Sequence, residues 1–235
     1  MFQFQRFIIE DDHSTMKVGT DSMILGAWAK PPRTGKILDI GTGCGVLSLM
    51  LAQKSLCTFT AIDIHGPSVD QASENFKNSP WGNRMKALTV ALKEFSTYNA
   101  DEYDMIISNP PYFNNALASP IQHRNEARHD HKLTLDDLVI FSRRILKPEG
   151  RLDVILPAKE SEIFEVKAVK EEFSVARKLL VYSRETDLQP IRVIIELSKK
   201  KIFKQEEEKL VIRNHDGTFD PGYLHLTKEF HKFIQ

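Results

Sequence analysis

Cysteine is scarce in this chain, with Cys44 and Cys57 the only two in 235 residues. They make neither a metal-type nor a redox-type pair, so no disulfide framework is expected and a reducing cytoplasm is the simplest home. Long apolar runs are missing too: none approaches the roughly 20 residues that span a bilayer, so no membrane segment is expected. An export signal is also lacking, because Met1 to Ile9 alternates apolar and polar residues where a basic region and a continuous apolar one would stand. That alternation predicts a single strand. Excess charge is absent as well, since 32 basic residues balance 32 acidic ones, and any polyanion must be held by a local patch. Neither a Ser/His/Asp nor a Cys/His arrangement suggests nucleophilic catalysis.

What is present is ordinary for a soluble globular protein, 41% hydrophobic and 27% charged, and long enough for one large domain or one domain with an appendage. The expected domain is 1–235, with an N-terminal extension (1–34), a core (35–200) and a C-terminal strand and helix (201–235). Glu10 to His13 reads as a polar turn and Ser22 to Ala29 as a short helix, capped by Thr20 or Asp21 and ended by Pro31 and Pro32. Strands are predicted over 36–40, 58–62, 85–90, 103–108 and 152–156, and helices over 46–54, 67–77, 135–146 and 161–172. Lys147 to Gly150 reads as the turn closing the third of these helices. Strands over 175–182 and 191–197 sit close enough in sequence to pair antiparallel. After the charged runs Lys199 to Lys201 and Glu206 to Glu208, read as solvated surface, come a short strand at 210–213 and a helix opened by Asp220-Pro221. Tyr223, Leu226, Phe230 and Phe233 share one face of that helix. The pattern predicts an α/β fold, a doubly wound sheet with an antiparallel edge.

The stretch that points to chemistry is Asn109-Pro110-Pro111-Tyr112, after the apolar run Met105 to Ser108. Two prolines cannot donate to a sheet ladder, so the strand ends in a stiff turn rich in acceptors. Such a corner suits a planar NH2 group: the Asn109 amide oxygen accepts one N–H, the Pro110 carbonyl the other, and Tyr112 offers a stacking face. An electrophilic methyl group above the nitrogen would make the site an amine methylase. A proline turn that merely ends a strand remains the alternative until a donor pocket is found.

Upstream, Asp39-Ile40-Gly41-Thr42-Gly43-Cys44-Gly45 follows the first core strand. Its glycines allow a tight turn and a close approach to a ligand. The third glycine comes one residue earlier than in the dinucleotide pattern, which makes a poorer pyrophosphate cradle and a plausible seat for the aminocarboxypropyl arm of S-adenosylmethionine. Asp39 can attract that arm's ammonium, directly or through water. Asp63, at the end of the next strand, can accept both ribose hydroxyls, with Ile64 lining the adenine. The glycine loop and the acid allow nucleotide cofactors generally; the Asn-Pro-Pro-Tyr turn makes the combination specific. Ala91, where a polar side chain for the adenine amine would be expected, cannot supply one, a loss of about 1 kcal/mol.

These residues, with Met16-Lys17-Val18-Gly19-Thr20-Asp21, Leu25-Gly26-Ala27-Trp28, Ser79-Pro80-Trp81, Ala127-Arg128-His129 and Leu210-Val211-Ile212-Arg213, resemble the bacterial tRNA (adenine-N(6))-methyltransferases that modify the adenine beside the anticodon of a valine tRNA. The resemblance runs from end to end. It implies the Rossmann-like, seven-stranded fold of class I S-adenosylmethionine-dependent methyltransferases, S-adenosyl-L-methionine as cofactor, and tRNA as partner to a monomer or weak dimer. The expected cofactor set is Lys17, Thr20, Asp39, Gly41, Thr42, Gly43, Gly45, Asp63, Ile64 and Asn109, and the expected catalytic corner Asn109, Pro110, Pro111 and Tyr112. No metal is expected.

The polar segment 113–132 beside the corner carries Arg124, Arg128 and His129, expected as tRNA contacts; an unpaired loop base is cheaper to present than one in a duplex. Two other readings stay open. A protein-glutamine methylase acting on a release factor would use the same corner, because a glutamine amide is also a planar NH2. A non-catalytic cofactor-binding domain is the second.

Overall fold

The structure, a computed structural model, describes residues 1–99, 102–111 and 133–231. Its centre is a sheet of eight strands in the order β10-β8-β9-β7-β6-β3-β4-β5. The strands are β3 (Lys36–Ile40), β4 (Thr58–Asp63), β5 (Met85–Thr89), β6 (Tyr103–Ser108), β7 (Leu146–Pro157), β8 (Ser174–Arg184), β9 (Arg192–Ser198) and β10 (Glu206–Arg213). Strands β3 to β7 run parallel, and β9 enters antiparallel between β7 and β8. The sheet therefore has one strand more than expected, because β10 joins parallel to β8. Glu206, Glu207 and Glu208 open this edge strand while staying exposed, where charge discourages pairing with another chain.

Alternate residues of each strand feed two apolar layers. Ile37, Met105, Ile107, Ile155 and Ile194 face α1 (Thr20–Trp28), α2 (Val46–Lys54), α3 (Gly66–Lys77) and α7 (Pro221–Thr227). Leu38, Ile106, Val154 and Ile195 face α4 (Leu92–Tyr98), α5 (Leu135–Ile145) and α6 (Ala158–Lys170). Helices thus cover both faces, as a mostly parallel sheet requires. The chain steps outward from β3 to β4 and β5, then returns to the other side of β3 as β6. Strand order reverses between β3 and β6, the point where open α/β sheets hold their ligands.

Three local expectations change. Met1 to Ile9 is a small antiparallel hairpin, β1 (Phe2–Gln3) with β2 (Ile8–Ile9), and not one strand. The Phe4 N–H turns back to the Phe7 carbonyl at 3.0 Å, which stacks the two rings at 4.3 Å and buries both. Lys147 to Gly150 lies within β7 as an irregularity of register, since Tyr103 pairs with Leu146 but Met105 with Arg151. Helix α4 was not anticipated; only Leu92, Phe95 and Ser96 of it are buried, too few to set a period. Tyr223 and Phe230 are buried as the tail's pattern predicts, although α7 ends at Thr227; Phe233 lies outside the described residues.

Candidate active site

The glycine loop leaves β3 and the diproline corner leaves β6, two neighbouring parallel strands whose ends are in register at Ile40 and Ser108. The Ser108 hydroxyl ties them together by donating to the Ile40 carbonyl at 2.8 Å. Both corners therefore open at one edge of the sheet, within about one strand spacing (~5 Å) of each other. Asp63 ends β4 on the far side of β3, in register with Thr89 of β5. Glycine loop, acid and Asn-Pro-Pro turn surround one crevice.

Gly41, Gly43 and Gly45 have φ of +70°, +54° and +86°, a region costly for side chains with a Cβ. At Gly41 a Cβ would meet nothing within 4 Å, so the loop presents bare backbone to open space; at Gly45 it would stand 2.5 Å from the Phe76 ring. One glycine clears room for a ligand, and the other lets α3 pack close. The Gly41 and Thr42 N–H groups both return to the Ile62 carbonyl, at 2.8 and 3.1 Å.

Asp39 is wholly buried beneath this loop. Its Oδ2 accepts from the Thr42 hydroxyl (2.7 Å), the Ser48 hydroxyl (2.7 Å) and the Ser48 N–H (3.2 Å). The last bond caps α2, whose own N-cap, Gly45, has no side chain to do so. Its Oδ1 has no partner. Burial pushes the carboxyl up to about 6, against the three bonds, which favour ionisation. Asp63 binds the loop from outside: its Oδ2 accepts from the Gly43 N–H at 2.9 Å and its Oδ1 from the His65 N–H at 3.0 Å. Each oxygen keeps a lone pair for a ligand hydroxyl. Ile64, 54% exposed, stands at the rim.

On the other side Asn109 is 9% exposed. Its Nδ2 donates to the Ser22 Oγ at 3.1 Å, while its Oδ1 is buried and unpartnered. Pro110 is buried beside it and Pro111 exposed. Tyr112, Arg124, Arg128 and His129 lie outside the described residues. Among the described residues Asp39 Oδ1 and Asn109 Oδ1 are thus two buried acceptors without donors. An unpaired buried polar atom costs about 1–3 kcal/mol, so the crevice fits a ligand bringing N–H donors to both.

Some expected residues are engaged elsewhere. The Lys17 ammonium donates to the Asp11 carbonyl at 2.9 Å and the Asp12 carboxylate at 3.3 Å. Helix α1 starts at Thr20, two residues before the expected Ser22: Gly19 is its N-cap, without a side-chain bond, and the expected caps Thr20 and Asp21 lie in its first turn. The Asp21 carboxylate accepts from the Arg192 Nε at 2.9 Å. Ala91 caps α4 with no side-chain bond. Residues missed by sequence reasoning include Ser48, Ser22 and a strap at 10–15. Asn75 exchanges bonds with the Glu10 backbone (3.0 and 2.8 Å), Gln71 accepts from the His13 N–H (3.0 Å), and Ser68 from the Thr15 N–H (3.3 Å). The spacing of 68, 71 and 75 along one face of α3 was the legible signal. A cavity of about 500 Å³ lies elsewhere, along α3 and the first half of β5, lined by residues such as Phe76, Lys77, Asn83 and Lys86. Its lining includes neither a carboxylate nor an orphaned acceptor, so it lacks the chemistry of the crevice. Among the described residues no His/Cys/Asp/Glu group could hold a metal.

The switch point, the glycine loop, the acid ending the second core strand and the one antiparallel strand, β9, which lies inside the sheet and not at the expected antiparallel edge, together define a class I methyltransferase fold. A solved structure, protein Atu636 of Agrobacterium tumefaciens, described as a predicted O-methyltransferase, aligns with a TM-score of 0.70 at 16% identity, covering 89% of this chain and 96% of its own. The ribosomal protein L11 methylase of Lactobacillus delbrueckii aligns at 0.54, with 16% identity and 77% of each chain. Residues 13–179 match the methyltransferase small domain. The Parabacteroides distasonis tRNA1(Val) (adenine(37)-N6)-methyltransferase is 39% identical over 98% of this chain and 97% of its own. The Serratia proteamaculans enzyme of the same name is 35% identical over 99% and 90%. The chain belongs to this tRNA1(Val) (adenine(37)-N6)-methyltransferase family.

Proposed function

We infer that this protein transfers a methyl group from S-adenosylmethionine to the exocyclic amine of adenine 37 in a valine tRNA. The observation that carries the reading is the buried, unpartnered Asn109 Oδ1, leaving β6 beside the glycine loop of β3. The cofactor supplies an electrophilic methyl on a sulfonium. Asp39 Oδ1 would take the ammonium of its amino-acid arm, Asp63 would accept the ribose hydroxyls, and Gly41 and Thr42 would provide the floor. Asn109 Oδ1 and the Pro110 carbonyl accept the two N–H bonds of the adenine amine, and Tyr112 stacks on the base.

Holding both N–H bonds counters delocalisation of the nitrogen lone pair into the ring and aims it at the methyl carbon. Transfer would join the nitrogen to the methyl carbon while the S–C bond broke and released S-adenosylhomocysteine; the nitrogen would then carry a positive charge and lose its proton to water. No strong base is needed. Arg124, Arg128 and His129 are proposed to hold the tRNA backbone, and the work is placed in the cytoplasm, in one domain without an obligate partner.

The test is incubation with methyl-labelled S-adenosylmethionine and either bulk tRNA or a release factor, followed by digestion. Label in N6-methyladenosine is expected. Label in protein and none in RNA would replace this reading with a glutamine methylase, and no label in either would leave only a cofactor-binding domain.

A further inference from the structure

Asn109 has a structural partner that no motif announces. Its Nδ2 donates to the Ser22 hydroxyl from 87 positions away in the chain, at 3.1 Å, with both groups buried. Ser22 lies in the first turn of α1. That turn is tied to the antiparallel part of the sheet, because the neighbouring Asp21 accepts from Arg192 at the start of β9. Arg192 pairs with Pro157 at the end of β7, so the tie sits at the crevice edge. Ser22 is therefore held by the scaffold and not by the corner it touches.

An asparagine amide can turn either end toward a hydroxyl. If Ser22 accepts from Nδ2, the oxygen is left for a ligand; if Ser22 donates to Oδ1, the NH2 is left instead. The two arrangements are opposite in what they bind. An adenine amine brings two N–H donors, and only the first arrangement adds a second acceptor to the Pro110 carbonyl. The structure has this first arrangement, with Oδ1 buried and unpaired. We propose that Ser22 is the positioning residue of the amine-binding corner: by taking the Asn109 Nδ2 it holds the amide oxygen toward the substrate's amino group. This rests on the reading of an amine acceptor given above.

Removing one neutral hydrogen bond typically costs about tenfold in rate. For Ser22→Ala we expect kcat to fall about 10-fold while the dissociation constant for S-adenosylmethionine stays within about 2-fold, with Ser22→Thr, which keeps the hydroxyl, restoring most of the loss. Because Ser22 acts through Asn109, the double variant with Asn109→Ala should be no slower than Asn109→Ala alone. Unchanged kcat in Ser22→Ala, or independent losses in the double variant, would overturn the proposal. A readout free of the substrate is the Asn109 side-chain amide in a 15N spectrum. It should shift and exchange about 10-fold faster in Ser22→Ala, and an unmoved amide overturns the proposal even if the wild type proves to label something other than tRNA.

Discussion

Asp39 and Asp153 lie in one row of the sheet, Asp39 beside Ile107 and Ile107 beside Asp153, and both are wholly buried. Burial raises both carboxyls, Asp39 to about 6 and Asp153 to about 7. Their surroundings differ. Asp39 has three hydrogen bonds on one oxygen and none on the other, at a loop that opens to space. Asp153 has no hydrogen bond on either oxygen. Its neighbour across β7 and β9 is Glu196, which raises it further, while Arg151, Arg177 and Lys54 pull it down. Glu196 in turn holds Arg177 through two bonds of 2.6 and 3.1 Å, and the Arg177 guanidinium lies 4.0 Å from the Trp28 ring. Lys54 is spent on the carbonyls of Gly26, Ala27 and Ala29 at the end of α1. The crevice aspartate is oriented and left one oxygen short; the other is wholly buried beside Glu196, and the attraction of Arg151, Arg177 and Lys54 does not offset the cost of burying its charge.

The comparison can be broken first at the crevice. Asn109→Ala is expected to lower turnover about 100-fold or more while cofactor affinity changes little, measured by single-turnover labelling and calorimetric titration; equal losses would put Asn109 in the donor pocket alone. Next in size, Asp39→Ala should weaken cofactor binding by about 10- to 100-fold, the worth of a charged hydrogen bond, whereas Asp153→Asn should not alter it. Matching losses in the two variants would erase the distinction drawn here. Because a cationic arm favours ionised Asp39, affinity should fall as pH drops below about 6, approaching tenfold per unit. In Asp39→Asn the affinity should be flat over the same range.

The smallest effect concerns stability. A carboxyl raised in the folded state binds more protons folded than unfolded between its unfolded value, about 4, and its folded one. Asp153 therefore costs stability increasingly as pH rises from about 4 to about 7, and removing its charge should help most above that window. Asp153→Asn is expected to unfold a few degrees higher than wild type at pH 8, on the scale of about 2–4 °C per kcal/mol for a chain of this size. By pH 4 the difference should close. Scanning calorimetry at the two pH values decides it, and a variant less stable at pH 8 would mean that Arg151, Arg177 and Lys54 gain more from the charge than its burial costs.

Legibility in the sequence followed the range of the forces involved. Helix α2 and strands β3 and β6 are read at their true boundaries, since glycines, prolines and unbroken apolar runs act within a few residues. The glycine loop and the Asn-Pro-Pro turn are legible for the same reason. Helix α4 and the irregular start of β7 are not, because their residues take their form from neighbours distant in the chain. Ser22 and Ser48 were missed because a serine carries no signature of its own: Ser22 matters through one bond to Asn109, 87 positions on, and Ser48 through two to Asp39, on the other side of the glycine loop.

Read alone, the chain determined which corners are rigid and which chemistry they can do, because backbone constraints at glycine and proline are local. Only the tertiary structure decided that Ile40 and Ser108 end in register, so that both corners face one crevice. It alone gave the Asn109 amide its direction and separated Asp39 from Asp153, since hydrogen-bond partners and burial are set by strands and helices that meet only on folding.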